Sequence, residues 1–112
     1  MSRSDSTLLP GTLEMLILKV VSGEAEHGWG IGQRLARMSG GVFEVNQGSL
    51  YPALQRLLRK GWITAEWRKT ENGRRARYYG ISASGERQLV RERESWSRQV
   101  AAVELVLDWA TK

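Results

Sequence analysis

Cysteine is absent from this 112-residue chain. Its absence removes disulfides, thiolate nucleophiles and zinc-ribbon sites together. A single histidine, His27, excludes three-His metal centres and paired-His acid–base machinery within one chain. No G-x-S-x-G motif occurs, and the acids are dispersed over expected helix surfaces. The expectation is a protein without catalytic residues, metal or cofactor. No apolar run approaches the roughly 18 residues that a membrane span needs. The longest, Met15 to Val21, is interrupted by Lys19, and the opening Met1-Ser2-Arg3-Ser4-Asp5 lacks a signal-peptide layout. A cytoplasmic protein with no membrane partner is expected. With 26% charged and 41% hydrophobic residues, the composition is that of a globular domain.

What is present is positive charge, and it is localised. The chain carries 17 basic and 12 acidic residues, a net +5. Between Gln47 and Gly80 lie eight basic residues (Arg56, Arg59, Lys60, Arg68, Lys69, Arg74, Arg75, Arg77) against two acids (Glu66, Glu71), a net of six positive charges. The remaining nine basic and ten acidic residues nearly cancel. A basic zone between neutral flanks fits a polyanion-binding surface; a plain solvated face is the alternative.

Hydrophobic periodicity divides the chain further. Residues 1–9 read as a loose arm. Pro10-Gly11-Thr12 is a helix-start signal with Thr12 as N-cap. The stretch Leu13 to Val21 is apolar nearly all round, which requires burial on more than one side. In so small a chain that suggests a second subunit against Leu13 and Ile17. A second helix is expected from His27 to Met38, burying Ile31, Leu35 and Met38. Val42 to Val45 reads as a short extended piece. A third helix follows Asn46, a good N-cap, and ends at Gly61. Its apolar side is Leu50, Leu54, Leu57 and Leu58. Its opposite side carries Ser49, Pro52, Gln55, Arg56 and Arg59, with Tyr51 on the flank. Pro52 is placed near the first turn, where its missing N–H costs little.

Trp62–Arg68 and Arg75–Ile81 are rich in β-formers and alternate, and Asn72-Gly73 between them is a hairpin signal. Lys69, Arg74 and Arg75 fall at the tip. Ser82 then caps a last helix expected over Ala83 to Ala110, ~42 Å long at 1.5 Å per residue. Leu89, Arg93, Trp96, Val100, Val103, Leu107 and Ala110 recur at alternating spacings of four and three, a heptad seam. The natural partner for such a seam is a second copy of the chain. The predicted fold class is therefore α+β, mainly α with a small β-hairpin. It combines a winged helix-turn-helix over residues 10–82 with a dimerisation helix over 83–112.

In such a layout the exposed face of the third helix enters the major groove. Gln55 can pair bidentately with adenine, and Arg56 or Arg59 with guanine. Ser49 at the helix start can hold a phosphate. Trp96 on the seam reads as an interface aromatic or as the wall of a small-molecule pocket. The glycine-rich run from His27 to Gly32 is not a nucleotide loop, since it lacks GxxxxGK[ST] and a preceding strand. Glu24, Glu26 and His27 make a poor metal set. Trp29 could touch phosphate or pack beside the third helix.

Several segments resemble PadR-like transcriptional regulators. They are Leu8-Leu9-Pro10-Gly11-Thr12-Leu13-Glu14-Met15-Leu16-Ile17-Leu18, His27-Gly28-Trp29-Gly30-Ile31 (usually Tyr where Trp29 stands), Gln47-Gly48-Ser49-Leu50-Tyr51-Pro52-Ala53-Leu54-Gln55-Arg56-Leu57, and Arg75 through Gly85. The single C-terminal helix is similar to that of the compact branch. The resemblance implies a homodimeric repressor of bacterial genes that binds an inverted-repeat DNA operator. Ser49, Tyr51, Gln55, Arg56 and Arg59 would meet the major groove, and Lys69, Arg74 and Arg75 would grip backbone from the wing. It implies dimerisation through the last helix with the partner's first helix nearby: Leu13, Ile17, Leu89, Trp96, Val100, Val103 and Leu107. It also implies a small aromatic or phenolic effector at Trp96, within Glu94-Ser95-Trp96-Ser97-Arg98. A stand-alone ligand sensor and a protein-interaction adaptor are the alternatives from other classes.

Overall fold

The computed structural model describes residues 10–110; the arm expected over residues 1–9 lies outside that range. Seven elements follow in chain order: α1 (Pro10–Gly23), β1 (Glu26–His27), α2 (Gly28–Met38), α3 (Gln47–Arg59), β2 (Ile63–Lys69), β3 (Arg75–Ile81) and α4 (Ala83–Leu107). The architecture is the expected α+β winged helix. The wing has gained a strand, because β1 pairs with β3 to give an antiparallel sheet of order β1-β3-β2. No helix among the described residues is long and apolar enough to cross a membrane.

The core explains why α1 is apolar nearly all round. Leu13, Ile17, Leu18, Val20 and Val21 lie inside a cluster with Ile31 and Leu35 of α2, Leu50, Leu54 and Leu57 of α3, and Ile63 and Tyr79 of the sheet. Leu13 and Ile17 are 5% and 0% exposed in the single chain. That corrects the expectation that a second subunit covers them: the chain's own α2, α3, β3 and α4 surround α1. Leu89 is likewise partly buried against this core.

Other boundaries shift for local reasons. Helix α1 begins at Pro10, so Thr12 is inside it rather than its cap. The stripe of α2 ends at Leu35, and Met38 projects outward, 55% exposed. The piece from Val42 to Val45 is a loop without strand pairing, yet Phe43 and Val45 do turn inward. Pro52 is the sixth residue of α3, not part of its first turn. It denies the Gly48 carbonyl its usual i+4 donor; both residues are exposed, so water can serve instead. Helix α4 stops at Leu107, three residues earlier than expected.

Two junctions set α3 and the wing. Asn46 Oδ1 accepts from the Ser49 N–H at 2.9 Å and starts α3. Ser82 caps α4 by accepting from the Gly85 N–H at 3.0 Å, while its hydroxyl donates to the Gly61 carbonyl at 2.6 Å. The Ser82 N–H also donates to the Trp62 carbonyl at 3.0 Å. At Gly85 a Cβ would stand 1.9 Å from that same Trp62 carbonyl oxygen, so only glycine lets α4 start this close to the wing. At the far end of the hairpin, Gly73 adopts φ +85 and its N–H donates to the Thr70 carbonyl at 3.0 Å.

Candidate nucleic-acid interface

Residues of opposite register in the wing share a face. Trp67 stands across from Arg77 and Lys69 from Arg75. Strand side chains alternate, so these four lie on the face of buried Ile63 and Tyr79. Near its base that face is covered by helices; toward the tip it is open. Arg77 and Trp67 therefore look into a cleft of about 410 Å³, whose other lining includes Gly28, Trp29 and Tyr51. Recognition-helix candidate and wing meet across this cleft. Trp67 and Arg77 were not singled out from the sequence. The signal was available: both follow from counting two residues tipward from Tyr79 and Ala65 on an alternating strand.

The aromatic content of the cleft is unusual for solvent-facing surface. Trp29 and Trp67 are each 59% exposed. Trp29 stacks on His27 with ring centroids 6.4 Å apart, and the Arg75 guanidinium lies 5.4 Å over Trp67. The Tyr51 ring rests against Gly28, where a side chain would collide with it. His27 caps α2, its Nδ1 accepting from the Gly30 N–H at 3.0 Å. Glu26 faces Arg34 at 3.6 Å. These two residues thus shape the entry of α2, and no cluster of three potential metal ligands occurs among the described residues. Below the cleft, burial pushes the Tyr79 phenol above its ordinary value; the Arg77 charge opposes this, and Tyr51 adds a smaller upward push.

The positive zone sorts into engaged and free cations. Arg56 is half-buried and ion-paired, where a free cation beside Gln55 was expected. Its Nε donates to Glu14 Oε2 at 2.6 Å, and Lys60 Nζ donates to Glu14 Oε1 at 3.3 Å. Glu14 sits on α1, 42 residues earlier, and no spacing rule in the sequence could have paired them. Lys60 also lies 4.8 Å over the Trp62 ring. Arg68, on the other face of the wing, is ion-paired with Glu66 and lies over Tyr78. Among the described residues this leaves Arg59, Lys69, Arg74, Arg75 and Arg77 without a carboxylate partner, all exposed. Gln55 and Ser49 are exposed as well, although the Ser49 N–H is taken by Asn46.

Elsewhere on the molecule, Trp96 (46% exposed) helps line a mainly apolar groove of about 550 Å³ between α1 and α4, with Met15, Leu16, Phe43, Leu89 and Arg93. Beyond it α4 runs free of the domain. Val100 is half-buried, whereas Val103 and Leu107 are exposed.

The arrangement is similar to proteins already described. Residues 17–91 match the sequence model of the transcriptional regulator PadR-like family. A PadR-like transcriptional regulator from Bacillus cereus is 28% identical, with TM-score 0.75 over 89% of this chain and 95% of that one. A PadR family transcriptional regulator from Eggerthella lenta is 26% identical, with TM-score 0.78 over 89% and 85%. An uncharacterised protein of Lysinibacillus sphaericus is 26% identical over 96% of this chain and 97% of its own length.

Proposed function

The chain belongs to the PadR-like family of transcriptional regulators, and on that premise we propose that it binds double-stranded DNA as a homodimer and represses transcription by occupying an operator. The observation that carries this reading is the shared cleft, in which Arg77 and three exposed aromatics of α2, α3 and the wing converge, together with four further unpaired, exposed cations on α3 and the wing: Arg59, Lys69, Arg74 and Arg75. Helix α3 enters the major groove. Gln55 and Arg59 reach base edges there, and Tyr51 and Ser49 seat the helix against backbone. Lys69, Arg74 and Arg75 hold phosphates from the wing, joined by Arg77. Residues 10–82 form the DNA-binding unit and 83–112 the dimerisation helix, with Trp96, Val100, Val103 and Leu107 at the seam. A two-fold dimer matches an inverted repeat whose half-sites are spaced by whole helical turns. Its work lies in the cytoplasm, where bacterial DNA is.

The groove at Trp96 supports a further part of the reading. Indole stacks flat aromatics well, and a small aromatic or phenolic effector seated there would release the operator. Selection of duplexes from a random pool tests the main reading: an enriched inverted repeat is expected. A chain that shifts no duplex at low salt is an adaptor instead. Titration of a flat aromatic cation should quench tryptophan emission, and Trp96→Ala should abolish the response.

A further inference from the structure

Glu14 is the one buried charged side chain among the described residues, 6% exposed. Its two oxygens are divided between Arg56, in the last turn of α3, and Lys60, the residue that caps its C-terminus. We propose that Glu14 is a positioning residue for sequence recognition: by holding Arg56 and Lys60 it fixes the roll of α3 about its own axis, and with it the angle at which Gln55 and Arg59 meet the bases. The inference rests on the DNA-binding reading above.

The argument is geometric. Side-chain tips lie about 6 Å from a helix axis, so a roll of about 10° displaces them by about 1 Å. A bidentate base contact does not survive that displacement, because hydrogen bonds occupy a window of about half an ångström. The apolar face of α3, Leu50, Leu54 and Leu57, sets how deeply the helix sits. Hydrophobic burial is non-directional, however, and resists a roll only through many individually weak packing contacts. A charge-assisted hydrogen bond from a planar guanidinium is directional, and the Arg56 bond at 2.6 Å is of that kind. Gln55 is the immediate neighbour of Arg56 and Arg59 lies three residues on. The clamp therefore acts on the turn that does the reading. It also withholds Arg56 and Lys60 from phosphate.

The test uses the full chain and the duplex recovered by selection, with a scrambled duplex of equal length as reference. Fluorescence anisotropy gives the affinity ratio between them for wild type, Glu14→Gln and Arg56→Lys. Glu14→Gln removes the charge; Arg56→Lys keeps it but loses the planar donor and should fold whether or not Glu14→Gln does. The clamp predicts that the ratio drops about tenfold or more in Glu14→Gln, the scale of one lost bidentate contact, and less in Arg56→Lys. Binding to the scrambled duplex should hold steady or tighten as cations are freed. Repeating the selection with Arg56→Lys should show relaxed preference at every position that α3 reads. Relaxation at a single G·C position would make Arg56 a base reader and overturn the clamp. So would an unchanged ratio in the folded variants, or an equal loss on both duplexes. If the wild-type chain binds no duplex at all, the DNA-binding reading itself fails, a result distinct from these.

Discussion

Ser82 and Gly85 bind three elements within four residues. The Ser82 side chain caps α4 and donates to the loop before β2, and Gly85 lets the helix press on the Trp62 carbonyl. Ser82→Ala should lower stability by about 1 kcal/mol, the usual cost of a lost N-cap. Gly85→Ala should cost more, about 2–3 kcal/mol, because backbone must move to admit the methyl group. Thermal unfolding of the two variants ranks them. Tyr79 adds a pH term. Its folded pKa lies above the unfolded 10.0, so the stability from its buried neutral phenol is complete below pH 10 and falls as pH rises through the folded value. Tyr79→Phe should lack that alkaline loss, and melting temperatures between pH 8 and pH 11 will read it. At the wing tip, Arg74→Ala with Arg75→Ala should flatten the salt dependence of duplex binding by up to about two units in slope. A wild-type slope in the double variant would remove the tip from the interface.

At the scale of elements, α3 carries an avoidable cost. Pro52 interrupts its hydrogen bonds in the second turn. Pro52→Ala should raise stability by about 1 kcal/mol, less than the full interior penalty because the site is exposed and the unfolded chain gains freedom. The helices and the hairpin were legible in the sequence because each has a period of its own: Leu50, Leu54 and Leu57 for α3, and the alternation ending in Tyr79 and Ile81 for β3. Strand β1 was not, since two residues are too few to alternate and Glu26-His27 pairs only because α2 carries it to β3. The unpolarised apolar pattern of α1 correctly meant burial on several sides. It could not say whose atoms supply them, and the chain's own α4 and sheet do. The Glu14 partner of Arg56 was hidden for the same reason, being fixed by tertiary packing alone. Helix α1 thus has two neighbours of consequence: Met15 and Leu16 wall the groove at Trp96, while Glu14 between α1 and α3 holds the reading helix. In the proposed regulator, an effector that shifts α1 would be felt at α3 without touching it.

The whole molecule is elongated. Its radius of gyration is 16.1 Å and its extents are 64 × 37 × 21 Å, against about 13 Å expected for a compact chain of this length. The excess is α4, whose outer half carries exposed Val103, Leu105, Val106 and Leu107. Val103→Asp with Leu107→Asp should give a folded monomer by sedimentation, with the far-UV spectrum kept and affinity for a two-half-site duplex reduced to that for a single half-site. Persistent dimers would move the interface elsewhere. The sheet order β1-β3-β2 leaves β2 as its outer rim. Glu66, Arg68 and Lys69 stud that rim with charge, and a charged border discourages a stranger's backbone from docking there. In the proposed dimer, self-association would then be confined to the tail, and a concentrated solution should not thicken into fibrils along the wing.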